Sequence, residues 1–100
     1  MHYLLFYEKV SDYADRQQPL QAAHRAHIEE AVACGEILLA GNLGTPEEAL
    51  ALLLFQTDSP DSVEAFAKED PYVTDGVVSR WQVQKWDTVL GPGAAHPLPA

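Results

Sequence analysis

The chain is short of cysteine, of basic side chains and of long apolar runs, and each shortage closes off a class of function. Its single cysteine, Cys34, has no partner for an intrachain disulfide and no sulfur neighbours for a zinc cluster, which fits a reducing compartment and a cytoplasmic protein. Six Lys and Arg stand against fifteen Asp and Glu, a formal charge of −9, with no basic cluster to neutralise a phosphate backbone. Nucleic acid is therefore not an expected partner. No apolar run approaches the roughly 20 residues that span a bilayer, so no membrane partner is expected either. The opening MHYLLFYEKV lacks a basic flank and soon meets an acidic residue, and it reads as a strand, not a secretory leader. Glycine-rich phosphate loops, nucleophile elbows and dinucleotide fingerprints are missing, since Gly41-Asn42-Leu43-Gly44 is too short and reads as a turn.

What remains is a globular composition, 47% hydrophobic and 21% charged over 100 residues, enough for one domain if most of the length joins the core. Residues 2–9, with Tyr3-Leu4-Leu5-Phe6-Tyr7 at their centre, suit a strand buried on both faces. The polar stretch Ser11 to Gln18 reads as a loop leading to Pro19, a residue favoured in a first helical turn. From Leu20 the inward stripe at helical spacing is Leu20, His24, Ile28, Ala31 and Val32, with His27 and Cys34 beside it, and Gly35 ends the helix. Residues 36–41 form a second strand, and a tight turn follows at Asn42 to Pro46.

Residues 46–55 carry both a helix signal, Thr45 as a cap, and the Leu-rich run of a buried strand. We read them as a strand, because the next helix starts almost at once. There Ser59 caps a helix with Pro60 in its first turn, Val63, Phe66 and Ala67 inward, and an end before Pro71. From Val77 the residues alternate, with Val77, Ser79, Trp81 and Val83 on one face and Val78, Arg80, Gln82, Gln84 and Trp86 on the other. We place one domain at residues 1–88 and a flexible tail rich in Pro, Gly and Ala at 89–100.

The order βαββαβ folds most simply into a ferredoxin-like split, an α+β antiparallel sheet with two helices on one face. Apolar residues on both sides of the strands then leave an uncovered patch on the other face. A homodimer packed sheet to sheet is the expected answer.

Two stretches resemble the YCII-like (YciI-type) family, over most of residues 2–87. Asp70-Pro71-Tyr72-Val73-Thr74-Asp75-Gly76 is similar to that family's Asp-Pro-Tyr element followed four residues on by Gly. His24, Gly35 and Gly41 match its helix-borne His, then Gly, then a strand ending in Gly. The resemblance implies a dimeric α/β barrel in which His24 and Asp70 are an active-site pair at a cleft between helix and sheet. It also implies relatives that include a dehydrochlorinase acting in chlorinated-aromatic breakdown, and muconolactone isomerases of similar architecture. The chain departs from the family where an Arg often precedes the His by three residues and a Leu follows it. Here stand Gln21 and Arg25, so Arg25 becomes the candidate to meet a substrate charge.

A carboxylate bonded to one imidazole nitrogen fixes the tautomer and steadies the charged ring while the other nitrogen moves a proton. That suits a cofactor-free lyase or isomerase acting on a small enolisable molecule. The blander reading makes His24 a core histidine bonded to a carbonyl and Asp70 a cap for the turn into Pro71. His27, three residues after His24, lines the cleft in our reading; no acidic or cysteine triplet completes a metal shell, and neither metal nor organic cofactor is expected. Tyr72 offers a phenol to a substrate oxygen or else a packing anchor. Trp81 and Trp86 are read as core or dimer contacts, and Cys34 as a small buried hydrophobe. The competing functions are a dimeric module that binds a small molecule without chemistry and, by fold analogy alone, haem binding or oxygenation.

Overall fold

Residues 1–99 are described by a computed structural model. In chain order the elements are β1 (His2–Lys9), α1 (Tyr13–Arg16), α2 (Gln21–Ala33), β2 (Ile37–Leu43), β3 (Leu50–Gln56), α3 (Pro60–Glu69), α4 (Pro71–Thr74) and β4 (Val78–Trp86). Every strand pairing is antiparallel, and the sheet order is β2-β3-β1-β4. This is the α+β, ferredoxin-like arrangement that the element order implies. None of the described helices is long and apolar enough to cross a membrane.

Strand β1 sits at the centre because its residues are apolar on both sides. Tyr3, Leu5 and Tyr7 face the helices, opposite Phe55, Leu53 and Ala51 of β3, and pack with Val63, Phe66 and Ala67 of α3 and Ala31 of α2. Phe55 meets Phe66 edge to face, with 5.1 Å between centroids. On the opposite side of the sheet Leu4, Phe6, Leu52 and Leu54 are only half-buried, and Leu39 of β2 is 71% exposed.

The helices stop and start where their end residues dictate. Gly35 takes a φ of +85°, and the amides of Gly35 and Glu36 bond back to the carbonyls of Val32 and Ala31, closing α2 with a left-handed turn. Ser59 accepts from the Asp61 amide at 3.1 Å and caps α3, while Pro60 occupies its first turn. Asp70 ends α3 and caps α4 through the Tyr72 amide.

Several expectations need correction. The stretch Ser11 to Gln18 is not all loop, because α1 forms within it. Residues Pro46–Glu48 are a 3-10 turn closed by a Thr45/Glu48 capping box, not the beginning of a strand; β3 starts at Leu50, after Ala49 takes a left-handed φ of 56°. Strand β2 runs on to Leu43, past the expected turn. Val32 and Cys34 do not join the inward stripe. Both are exposed, because in the last turn of α2 it is Ala31 that meets the core. The alternation of β4 breaks where Glu8 pairs with Arg80 but Lys9 with Val78, a bulge at Ser79 that lets Val77 and Val78 both be buried.

After β4 the chain doubles back. Thr88 is hydrogen-bonded to His2 Nδ1 and accepts from the Ala95 amide, and the amides of His96 and Leu98 bond to the carbonyls of Thr88 and Val89.

Candidate functional site

Asp70 lies at the junction of α3 and α4 with no exposed surface, yet its carboxylate is fully engaged. Oδ1 accepts from His24 Nδ1–H at 2.8 Å and from the Tyr72 amide at 3.0 Å, and Oδ2 accepts from the Tyr7 hydroxyl at 2.7 Å. Burying a charge without such donors would cost several kcal/mol. The local sequence explains the placement. Pro71 forces the residue before it out of the helical region, and Asp70, at φ −67° and ψ 124°, turns its side chain back over the first amides of α4.

The three donors come from three different elements. His24 lies on the first half of α2, with its ring stacked flat on the Tyr72 ring, 3.6 Å between centroids and 6° between planes. Its Nδ1 is taken by Asp70, and its Nε2 has no partner among the described residues. The Tyr7 phenol is held far above its usual pKa, first by burial, then by the charge of Asp70 and by the hydrogen bond between them. The Tyr72 phenol is also raised, first by burial and then by the Asp70 charge.

This assembly forms one wall of a cavity of about 230 Å³ between α2 and the sheet. Tyr7, Lys9, His24, Asn42 and Tyr72 bring polar atoms to it, and Ile28, Ala51 and Leu53 give it an apolar floor. A base with one free nitrogen, beside an apolar surface and a buried carboxylate, can take a proton from a small molecule and return it.

The other candidates lie elsewhere. His27 faces away from this cavity, donates from Nε2 to the Phe66 carbonyl at 2.8 Å and stacks on the Phe66 ring. It lines a separate groove of about 320 Å³ between α2 and α3, together with Cys34. Arg25 points into solvent, 82% exposed, with Nε on Glu29 Oε1 at 2.6 Å. Sequence reasoning missed Tyr7 and Lys9, which it placed in the sheet alone. Their signal was the two-residue spacing on β1 that puts both on the same side as Leu5.

The family described as the YCII-related domain matches residues 1–87. No curated protein matches the chain. Among solved structures, the chain is similar to 5-chloro-2-hydroxyhydroquinone dehydrochlorinase from Burkholderia phenoliruptrix AC1100, solved in complex with 2,5-dihydroxybenzoquinone. Identity is 23%, the match covers 88% of this chain and 95% of that one, and the TM-score is 0.74. At that identity the likeness speaks for the shared fold.

Proposed function

The chain belongs to the family of YCII-related domains, and we propose that it is a cofactor-free lyase or isomerase acting on a small enolisable molecule, with His24 as general base and Asp70 as the group that positions it. The observation that carries this reading is the 2.8 Å bond from His24 Nδ1 to Asp70 at the wall of a cavity, with Nε2 left free. In the proposed step Nε2 accepts a proton from a carbon or hydroxyl conjugated with a carbonyl. The electron pair of that bond forms a new π bond, and a leaving group such as chloride departs with its own bonding pair. In an isomerisation the same nitrogen returns the proton at another carbon. Asp70 keeps the Nδ1–H tautomer and stabilises the imidazolium that forms.

The structural neighbour acts on a chlorinated hydroxyhydroquinone, which supplies the first compound to try. Purified protein incubated with 5-chloro-2-hydroxyhydroquinone is expected to release chloride faster than buffer alone. His24→Ala should lower that rate by roughly 10²- to 10⁴-fold, the usual worth of general base catalysis. Chloride release that is equal in the variant and the wild type would remove His24 from the mechanism.

A second reading is a binding module without chemistry, favoured by the apolar floor of Ile28, Ala51 and Leu53. It would keep ligand affinity in His24→Ala and show no turnover in the wild type. In either case we propose that two copies pair through the sheet face carrying Leu4, Phe6, Leu39, Leu52 and Leu54, in the reducing interior of a cell where Cys34 stays a thiol. We take the domain as residues 1–88, with the stretch after it folding back on Thr88 and Val89 within one copy.

A further inference from the structure

We infer that Lys9 is the anion-recognising group of this cavity, and that the ligand is a planar acidic molecule of the hydroxyquinone or enol type, bound with an oxyanion on Nζ and a ring edge against His24. The inference rests on the reading of the cavity as a reaction site and adds what that site accepts.

Lys9 is the last residue of β1, two positions after Tyr7 and on the same side of the sheet, so strand geometry aims both into the cavity that His24 and Tyr72 wall. The ammonium is steered from behind. Nζ stands 4.7 Å from the centroid of the Tyr13 ring, and the Tyr13 hydroxyl is tied to the Pro46 carbonyl at 3.1 Å. A second cavity, of about 210 Å³, shares Lys9 and Asn42 with the first, so the Lys9 side chain lies between the two.

The chain has fifteen acidic side chains for six basic ones, and partners for a cation are plentiful. Arg16, Arg25 and Arg80 each reach a carboxylate within 4.0 Å. Among the described residues Lys9 reaches none, and unlike Lys68 and Lys85 it is half-buried. Burial lowers its pKa with no carboxylate to offset the effect. A half-desolvated cation facing a cavity with no protein counter-ion is matched by a ligand that brings the negative charge. Asp70 does not serve, since its oxygens are taken up by His24, Tyr7 and the Tyr72 amide.

The chemistry is consistent with the proposed step. When Nε2 removes a proton from an enol or phenol, negative charge grows on the oxygen of the conjugated system. The ammonium of Lys9, a residue that lines the same small cavity, would stabilise that oxygen. At about 230 Å³ the cavity admits one substituted ring and little more.

The test titrates 2,5-dihydroxybenzoquinone, a coloured acid ionised at neutral pH, into wild type, Lys9→Met and Lys9→Arg, with hydroquinone as the uncharged ring of similar shape. Lys9→Met is expected to weaken the quinone roughly 10- to 100-fold, as loss of a charge-assisted contact does, and Lys9→Arg to restore it to within about threefold of wild type. Hydroquinone affinity should stay the same across the three proteins. Lys9→Met also removes a desolvation cost and should melt no lower than wild type. If it fails to fold, comparison of Lys9→Arg with wild type across salt concentrations carries the test, since both cations should lose quinone affinity as salt rises. Equal quinone binding in Lys9→Met and wild type, an equal loss for hydroquinone, salt-independent binding, or no wild-type binding at millimolar quinone would each overturn the inference. No turnover is needed. Lys9-dependent binding without chloride release would sink the lyase reading and leave this one standing, whereas chloride release untouched by Lys9→Met would do the reverse.

Discussion

The rings of His24 and Tyr72 lie flat on one another, and the same Asp70 oxygen holds both residues, the histidine through Nδ1 and the tyrosine through its backbone amide. The base thus has its plane set by a π contact and its tautomer set by a carboxylate. Few rotations remain open to it. Tyr72→Phe keeps the stack and removes only the phenol, so if that phenol meets substrate, KM should rise about tenfold with kcat nearly unchanged. Tyr72→Leu removes the stack and should lower kcat. Steady-state kinetics on the two variants separates the roles.

Asp70→Asn tests the tautomer. With one oxygen replaced by an amide, the acceptor for Nδ1–H is weakened, and long-range ¹H–¹⁵N spectra of the ring should shift from Nδ1–H toward Nε2–H, with kcat falling by roughly 10²- to 10⁴-fold. An unchanged tautomer would mean that the carboxylate does not set it. The variant should also be less stable by about 1–3 kcal/mol, because a buried donor is left facing another donor.

Tyr7→Phe should cost about 1–3 kcal/mol in denaturant unfolding, since Asp70 Oδ2 loses the one donor it has among the described residues. The phenol also sets an alkaline limit. Its folded pKa is raised above the unfolded value of 10.0, so its contribution is complete below that pH and drains away above it, at about 1.4 kcal/mol per pH unit for one proton. Ultraviolet titration of the folded protein should show Tyr7 silent where an exposed phenol ionises, and Tyr7→Phe should leave the folded-state amplitude as in wild type. A smaller amplitude in the variant would show that Tyr7 ionises within the fold.

The bare sheet face predicts an assembly. Leu39→Glu alters a side chain already 71% exposed in one copy and should change monomer stability by less than about 0.5 kcal/mol. If two copies meet on this face, light scattering should find a dimer in the wild type and a monomer in Leu39→Glu. Monomers in both would leave the face uncovered.

Much of the fold was legible because its punctuation is strong. Gly35, Ser59, Pro60 and Pro71 act through local backbone constraints that any context respects. The errors fall where context decides. Whether Pro46–Glu48 winds or extends depends on the Thr45 and Glu48 side chains reaching each other, and Val77 and Val78 share the core only because the bulge at Ser79 changes the phase of β4. In the site, the motif residues His24, Asp70 and Tyr72 converge, whereas His27 lies a helical step too far round α2 and Arg25 too far the other way. Tyr7 and Lys9 carried only the two-residue spacing on β1, and it took the packing of α2 against the sheet to give that spacing a shared cavity.

Asp70 also joins α3 to α4, a duty it would keep in a protein with no chemistry at all. Selection for folding alone is enough to retain an aspartate there. Among relatives, therefore, its persistence says little about turnover. The informative position is 24, where the imidazole caps no helix and closes no turn, and where drift would be the first trace of a lineage that had given up catalysis and kept only the pocket.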